Sequence, residues 1–132
     1  MPLPLIGSKP YFLNTPNPSP APYAVSLPRN SIILGWALTP AVIQALVPGC
    51  IIRVTLQRAG NSPSGAYPKQ QAHQRPLDQA SINYIKQMKE ILLELRDLAP
   101  FRTGTNQILR IDTTDPSGQS IAISNNLTVA FT

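Results

Sequence analysis

The sequence predicts an α+β fold: an antiparallel sheet, ending in a C-terminal meander, packed on one long amphipathic helix and preceded by an extended proline-rich N-terminal arm. Three observations predict it. Apolar residues recur with helical spacing from Leu77 to Leu98. Period-two alternation dominates residues 50–58 and 107–131. Eight of the 15 prolines fall within the first 28 residues. At 132 residues the chain accommodates one ordinary domain and not two. The division is therefore an arm over residues 1–30 and a single α+β domain over residues 31–132, with a long loop at 59–76.

The arm comes first. In NTPNPSPAPYAVSLPRN the prolines alternate with Asn, Ser and Ala, a pattern that favours polyproline II and turns and forbids a regular helix. Leu3, Leu5, Ile6, Tyr11, Phe12, Leu13, Tyr23, Val25 and Leu27 make it too apolar for a solvated linker. Fully extended it spans roughly 80 Å, and the expectation is that another chain receives it. Ser31 to Leu38 reads as a strand with Trp36 as a core or interface anchor. Thr39 and Pro40 supply an N-cap and a first-turn proline for a short helix over Ala41–Val47, which Pro48-Gly49 ends.

Cys50 to Arg58 places Cys50, Ile52, Val54 and Leu56 on one face of a strand, with Arg53, Thr55 and Gln57 on the other. AGNSPSGAYPKQQAHQRP then reads as a polar loop. Positions 77, 81, 84, 88, 91, 95 and 98 step by four and three, and Ile85 and Leu92 widen the stripe. A helix of about 20 residues follows, started near Asp78 and stopped by Pro100. Strands at 107–112, 119–124 and 127–131, separated by Asp115-Pro116-Ser117-Gly118 and Asn125-Asn126, complete the meander.

Charge is unevenly placed. The net charge is +5, but no acidic residue precedes Asp78, so the first 77 residues carry six unopposed positive charges while the remainder holds five basic residues against six acids. Such asymmetry predicts a front half that meets an acidic surface or a polyanion. A single cysteine excludes an internal disulfide. MPLPLIGSKPYFLN lacks the basic leader and unbroken apolar run of a signal peptide, so cytosolic synthesis is the expectation. The uncharged run from Asn30 to Ile52 contains Pro40 and Pro48, which argue against a membrane span.

The residues of catalysis are sparse. The one histidine, His73, lies in the polar loop and reads as solvated; Cys50 reads as a small buried hydrophobe rather than a nucleophile. One His and one Cys fall short of a soft metal site, and Asp112 and Asp115 read as turn chemistry. Glu90 and Glu94, one helical turn apart near Lys86 and Lys89, read as a solvated face. No phosphate loop, dinucleotide fingerprint or nucleophile elbow is present. The expectation is a protein that is not an enzyme and uses no cofactor or metal.

The arm MPLPLIGSKPYFLNTPNPSPAPYAVSLPRN, the segment AGNSPSGAYPKQQAHQRP and the strand-rich tail QSIAISNNLTVAFT together resemble small structural proteins of tailed bacteriophage particles: capsid cement proteins, head–tail adaptors and tail or baseplate components. The resemblance lies in layout and composition. It implies a virion subunit, made in the host cytoplasm, that forms homo-oligomers or docks on other structural proteins through arms and loops, with no catalytic residues. Tyr11, Phe12, Tyr23, Trp36, Tyr67 and Phe131 are the candidate interface anchors, because buried aromatics dominate interfaces. Arg53, Arg58, Lys69 and Arg75 are the candidate contacts to an acidic surface or polyanion. A small basic nucleic-acid-binding module is the alternative; its weakness is that only Tyr67 is interleaved with these charges to stack on bases.

Overall fold

A computed structural model describes residues 5–7, 10–12, 23–25, 31–96, 101 and 105–131. In chain order the elements are β1 (Leu5–Ile6), β2 (Tyr11–Phe12), β3 (Tyr23–Val25), β4 (Ser31–Ala37), α1 (Pro40–Ala45), β5 (Ile51–Arg58), β6 (Asn61–Ser62), β7 (Gly65–Ala66), β8 (Lys69–Pro76), α2 (Gln79–Met88), β9 (Glu90–Arg96), β10 (Gln107–Thr114), β11 (Ser120–Ile123) and β12 (Leu127–Phe131). Among the described residues the fold is α+β, with mostly antiparallel sheets and two short helices. Among the described residues no helix is long and apolar enough to cross a membrane.

Two sheets enclose the core. In the larger, β8 pairs with β5 and β5 with the whole length of β10. The far side of β10 is shared end to end by β11 and β12, with β1 parallel to β11 and β3 parallel to β12. The smaller sheet runs β2–β4–β9, all antiparallel. Alternation decides what each strand buries: Ile52, Val54 and Leu56 from β5, Leu109 and Ile111 from β10, and Leu127 and Val129 from β12 join Ile32, Leu34 and Trp36 from β4 and Ile91, Leu93 and Leu95 from β9 in one apolar cluster. Cys50 is fully buried there, and Val42 and Leu46 close one end. Thr39 caps α1, its Oγ1 accepting from the Val42 amide at 3.3 Å, with Pro40 opening the helix.

Four expectations are corrected. The long helix over 77–98 is instead α2, ten residues long, followed directly by β9. Asp78 caps it as anticipated, accepting from the Ser81 amide at 2.8 Å. Lys89 then turns the chain in the left-handed region at φ 60°, its amide bonded to the Ile85 carbonyl. The run EILLELR satisfies both periods, since Ile91, Leu93 and Leu95 also alternate. As a strand it pairs along its whole length with β4 and buries all three, whereas Tyr84 and Met88 of the helical stripe remain exposed. Tertiary pairing overrides the local pattern.

The polar segment 59–76 is not a loop. Its second half is β8, an eight-residue edge strand on β5 with a bulge near Ala72, and its tip is the small β6–β7 hairpin. β5 supplies the hydrogen bonds that its Lys, Gln, His and Arg residues do not predict, and charge with a bulge suits an edge. Nor is the tail a meander. β11 and β12 both pair with β10 rather than with each other, their registers offset at residues 124–126. Ser124 fills the gap: the Ile111 amide donates to its Oγ at 2.8 Å and its own amide donates to the Ile111 carbonyl at 2.8 Å.

The fourth correction concerns the arm. Each of its described stretches lies on this chain's own sheets: β1 on β11, β2 on β4 and β3 on β12. Phe12 is 2 % exposed and belongs to the core. A Cβ on Gly7 would lie 2.7 Å from the Trp36 ring, so the backbone there sits directly against the indole. No second chain is needed to receive these stretches; the rest of residues 1–30 lies outside the described residues.

Candidate functional site

The two sheets approach each other along β8 and β9, and the chemistry-bearing side chains gather there. Directly paired residues share a face. Arg75 opposite Ile52 and His73 opposite Val54 therefore lean to the inner side of the large sheet at its margin. Arg75 bridges to β9 and α2, donating from Nη1 to the Leu92 carbonyl at 3.3 Å and from Nη2 to Ser81 Oγ at 3.2 Å. On one side of this bridge lies a cleft of about 410 Å³ lined by Ala72, His73, Arg75, Glu94 and Arg96. On the other lies one of about 280 Å³ lined by Ser81, Tyr84, Ile85, Ile91 and Leu92. Arg96 Nε pairs with Glu94 Oε1 at 2.8 Å at the surface. His73 is half-buried; that burial first, and Arg75 second, hold its imidazole below the ordinary value, with Glu94 opposing.

The peptide groups of β9 alternate between β4 and this seam. The Leu38 amide donates to the Lys89 carbonyl at 3.0 Å, fixing residues 38 and 89 as a hydrogen-bonded pair. By antiparallel alternation Glu90, Leu92, Glu94 and Arg96 then direct their amides and carbonyls away from β4. The Arg75 bond to the Leu92 carbonyl agrees with that phase.

The outer face of the large sheet is a second surface. Arg53, Thr55 and Gln57 of β5, Lys69, Gln71 and Gln74 of β8, and Ile108, Arg110, Asp112 and Thr114 of β10 share it. Arg53 is tied to Thr114 Oγ1 at 2.8 Å. Among these side chains none is aromatic. A third surface is a groove of about 550 Å³ between the helices, lined by Leu38, Pro40, Ile43, Gln44, Lys86 and Lys89.

The four anticipated basic contacts are thus dispersed. Arg53 and Lys69 stand on the outer face, Arg75 in the seam, and Arg58 lies over the Tyr67 ring, 4.8 Å from its centroid. Of the anticipated anchors, Trp36 is 1 % exposed and Phe12 is equally enclosed, so both serve this chain's core rather than a free surface. Tyr11 packs on Gly35, where a Cβ would lie 2.5 Å from the ring, and donates its hydroxyl to Glu90 Oε2. That bond and burial beside the carboxylate push its phenol up to about 12. Tyr67 is half-buried and accepts from Gln57 Nε2 through its carbonyl at 2.8 Å. Tyr23 and Phe131 lie on the paired strands β3 and β12.

The seam is hidden at the level of sequence because β8 reads as a loop and β9 as part of a helix. The cue was present: ILLEL alternates, and Arg75, Glu94 and Arg96 are charges close to apolar strand positions. Among the described residues no three His, Cys, Asp or Glu side chains gather where they could hold a metal ion. No protein-family model matches the chain, and no curated protein is similar to it at a significant level.

Proposed function

We propose that the chain is a structural assembly subunit, without catalytic activity, that joins neighbouring protein subunits by lending and accepting the strands of its N-terminal segment, in a virion or similar large particle. One observation carries this reading: every described strand of residues 1–30 is only two or three residues long, and each occupies the edge of a sheet. The body therefore presents edges shaped to accept short extended segments, and a neighbour's copy satisfies the same register. Exchange of identical elements makes the same contacts between chains as within one, so its free-energy cost is low. The prolines of residues 13–30 favour extended linkage over helix in the sequence that joins β2 to β4.

The nucleic-acid reading is the weaker one. The basic side chains are spread over separate surfaces, and the outer face of the large sheet offers no stacking ring among its described side chains. Light scattering across a concentration series tests the proposal. The mass should rise above 14.3 kDa in integral steps. A mass that stays at one chain at every concentration, and with the other structural proteins of the particle added, contradicts it.

A further inference from the structure

We infer that the groove between α1 and α2 receives a helical segment of a different, acidic protein, which sets an apolar side chain against Leu38 and Ile43 and two carboxylates against Lys86 and Lys89. This rests on the assembly reading only in taking the occupant to be protein.

The two walls of the groove differ in kind. Leu38, Pro40 and Ile43 supply an apolar wall, Lys86 and Lys89 from the end of α2 supply a cationic one, and no acidic residue lines it. Both lysines are exposed, and among the described residues neither ammonium enters a hydrogen bond or ion pair. The carbonyl end of α2 offsets part of their charge, but that end carries only about half a unit against two, so the groove stays positive. Lys86 and Lys89 stand near one turn apart, a separation of about 5–6 Å. Two carboxylates one turn apart on a partner helix match it, whereas a fatty acid or detergent brings a single anionic group. The volume of about 550 Å³ suits bulky apolar groups seated between helices.

The chain's own carboxylates argue against a second copy as the occupant. Glu90 accepts from Tyr11, Glu94 from Arg96 and Asp112 from Ser120, while Asp78 and Asp115 accept from the backbone of their own cap and turn. All five described acidic side chains are thus engaged; Asp97 lies outside the described residues. At a net charge of +5, two copies meeting here would also bring like charges together. The complementary chain is therefore another one, rich in Asp and Glu.

The test uses the full chain and a fluorescein-labelled, alanine-rich helical peptide of about 16 residues, with two Glu one turn apart and a Leu on the same face, read by anisotropy. Saturable binding is expected, weakened about tenfold when both Glu become Gln. Lys86→Gln/Lys89→Asn should lose the same factor for the Glu peptide and nothing further for the Gln peptide. Both positions are exposed, and Asn tolerates the left-handed backbone at residue 89, so this variant keeps the fold. Bound peptide should shield Lys86 and Lys89 from acetylation, read by mass spectrometry, and leave Lys69 on the outer face of the large sheet reactive. Equal affinity for the Gln peptide, unchanged affinity in the lysine variant, or shielding of Lys69 instead would overturn the inference. So would displacement by laurate as effective as by unlabelled peptide, which marks a lipid site. Loss of self-association in the lysine variant would make a second copy the occupant and overturn it equally. No binding with a rising mass in solution rejects the groove and keeps the assembly reading; binding by a protein that stays at the mass of one chain rejects only self-assembly.

Discussion

Replacing Phe12 by alanine is the sharpest probe of how the N-terminal segment relates to the body. Phe12 is 2 % exposed, so truncation removes nearly the whole transfer free energy of a phenyl ring and leaves a cavity beside Leu34, its register partner. Such substitutions cost about 3–5 kcal/mol. β2 is two residues long, paired with β4 and tied to β9 by the Tyr11–Glu90 bond, so it peels away rather than line an empty cavity. That limits the loss to the lower end, about 3 kcal/mol. Urea unfolding followed by emission of Trp36, itself buried, reads the change, with an unaltered m-value if the loss is one of stability alone. A loss under about 1 kcal/mol would refute the placement of Phe12 in the core and restore a detached arm. By the same reasoning, deleting residues 2–28 should destabilise the body rather than leave it intact.

Further outcomes follow from individual contacts. Gly35→Ala puts a methyl into the Tyr11 ring and should cost about 1–3 kcal/mol by displacing β2, measurable in the same titration. The Tyr11 phenol, raised from 10.0 to about 12, is protonated more readily in the folded state. Its stabilisation is therefore complete below pH 10.0 and lost as pH rises to about 12. Absorbance titration should show a late tyrosinate that Tyr11→Phe removes. Thr113 Oγ1 is buried with no hydrogen-bond partner among the described residues, so Thr113→Val should leave thermal stability unchanged or raise it by about 1 kcal/mol. Cys50, fully buried, should resist alkylation in the native protein and react on unfolding.

What the sequence made legible was local. Thr39-Pro40, Asp78 and Asp115-Pro116-Ser117-Gly118 carry their chemistry within four residues, and caps and turn fall where they stand. The inward rows of β5 and β10 were equally readable, because each strand is buried on one face. The failures share a cause in pairing over long sequence separations. EILLELR fits either period, and only β4, about 60 residues earlier, makes it a strand. KQQAHQRP has no apolar alternation, and β5 alone holds it extended. Asn125-Asn126 resembles a turn, yet Ser124 lets β10 keep both following strands on one side. The seam was illegible for the same reason, being made of the two strands that local pattern concealed.

Strand exchange can be read from a single covalent trap. Leu5 and Ala122 are register partners on parallel strands, within reach of a disulfide once both are cysteine and Cys50 is serine. Oxidation of Leu5→Cys/Ala122→Cys/Cys50→Ser after concentration, followed by a non-reducing gel and peptide mapping, should give covalent dimers and higher species joined by a disulfide between positions 5 and 122, a linkage the single-cysteine controls cannot form. Closed monomers alone, at every concentration from which the sample is oxidised, would contradict assembly through the N-terminal strands.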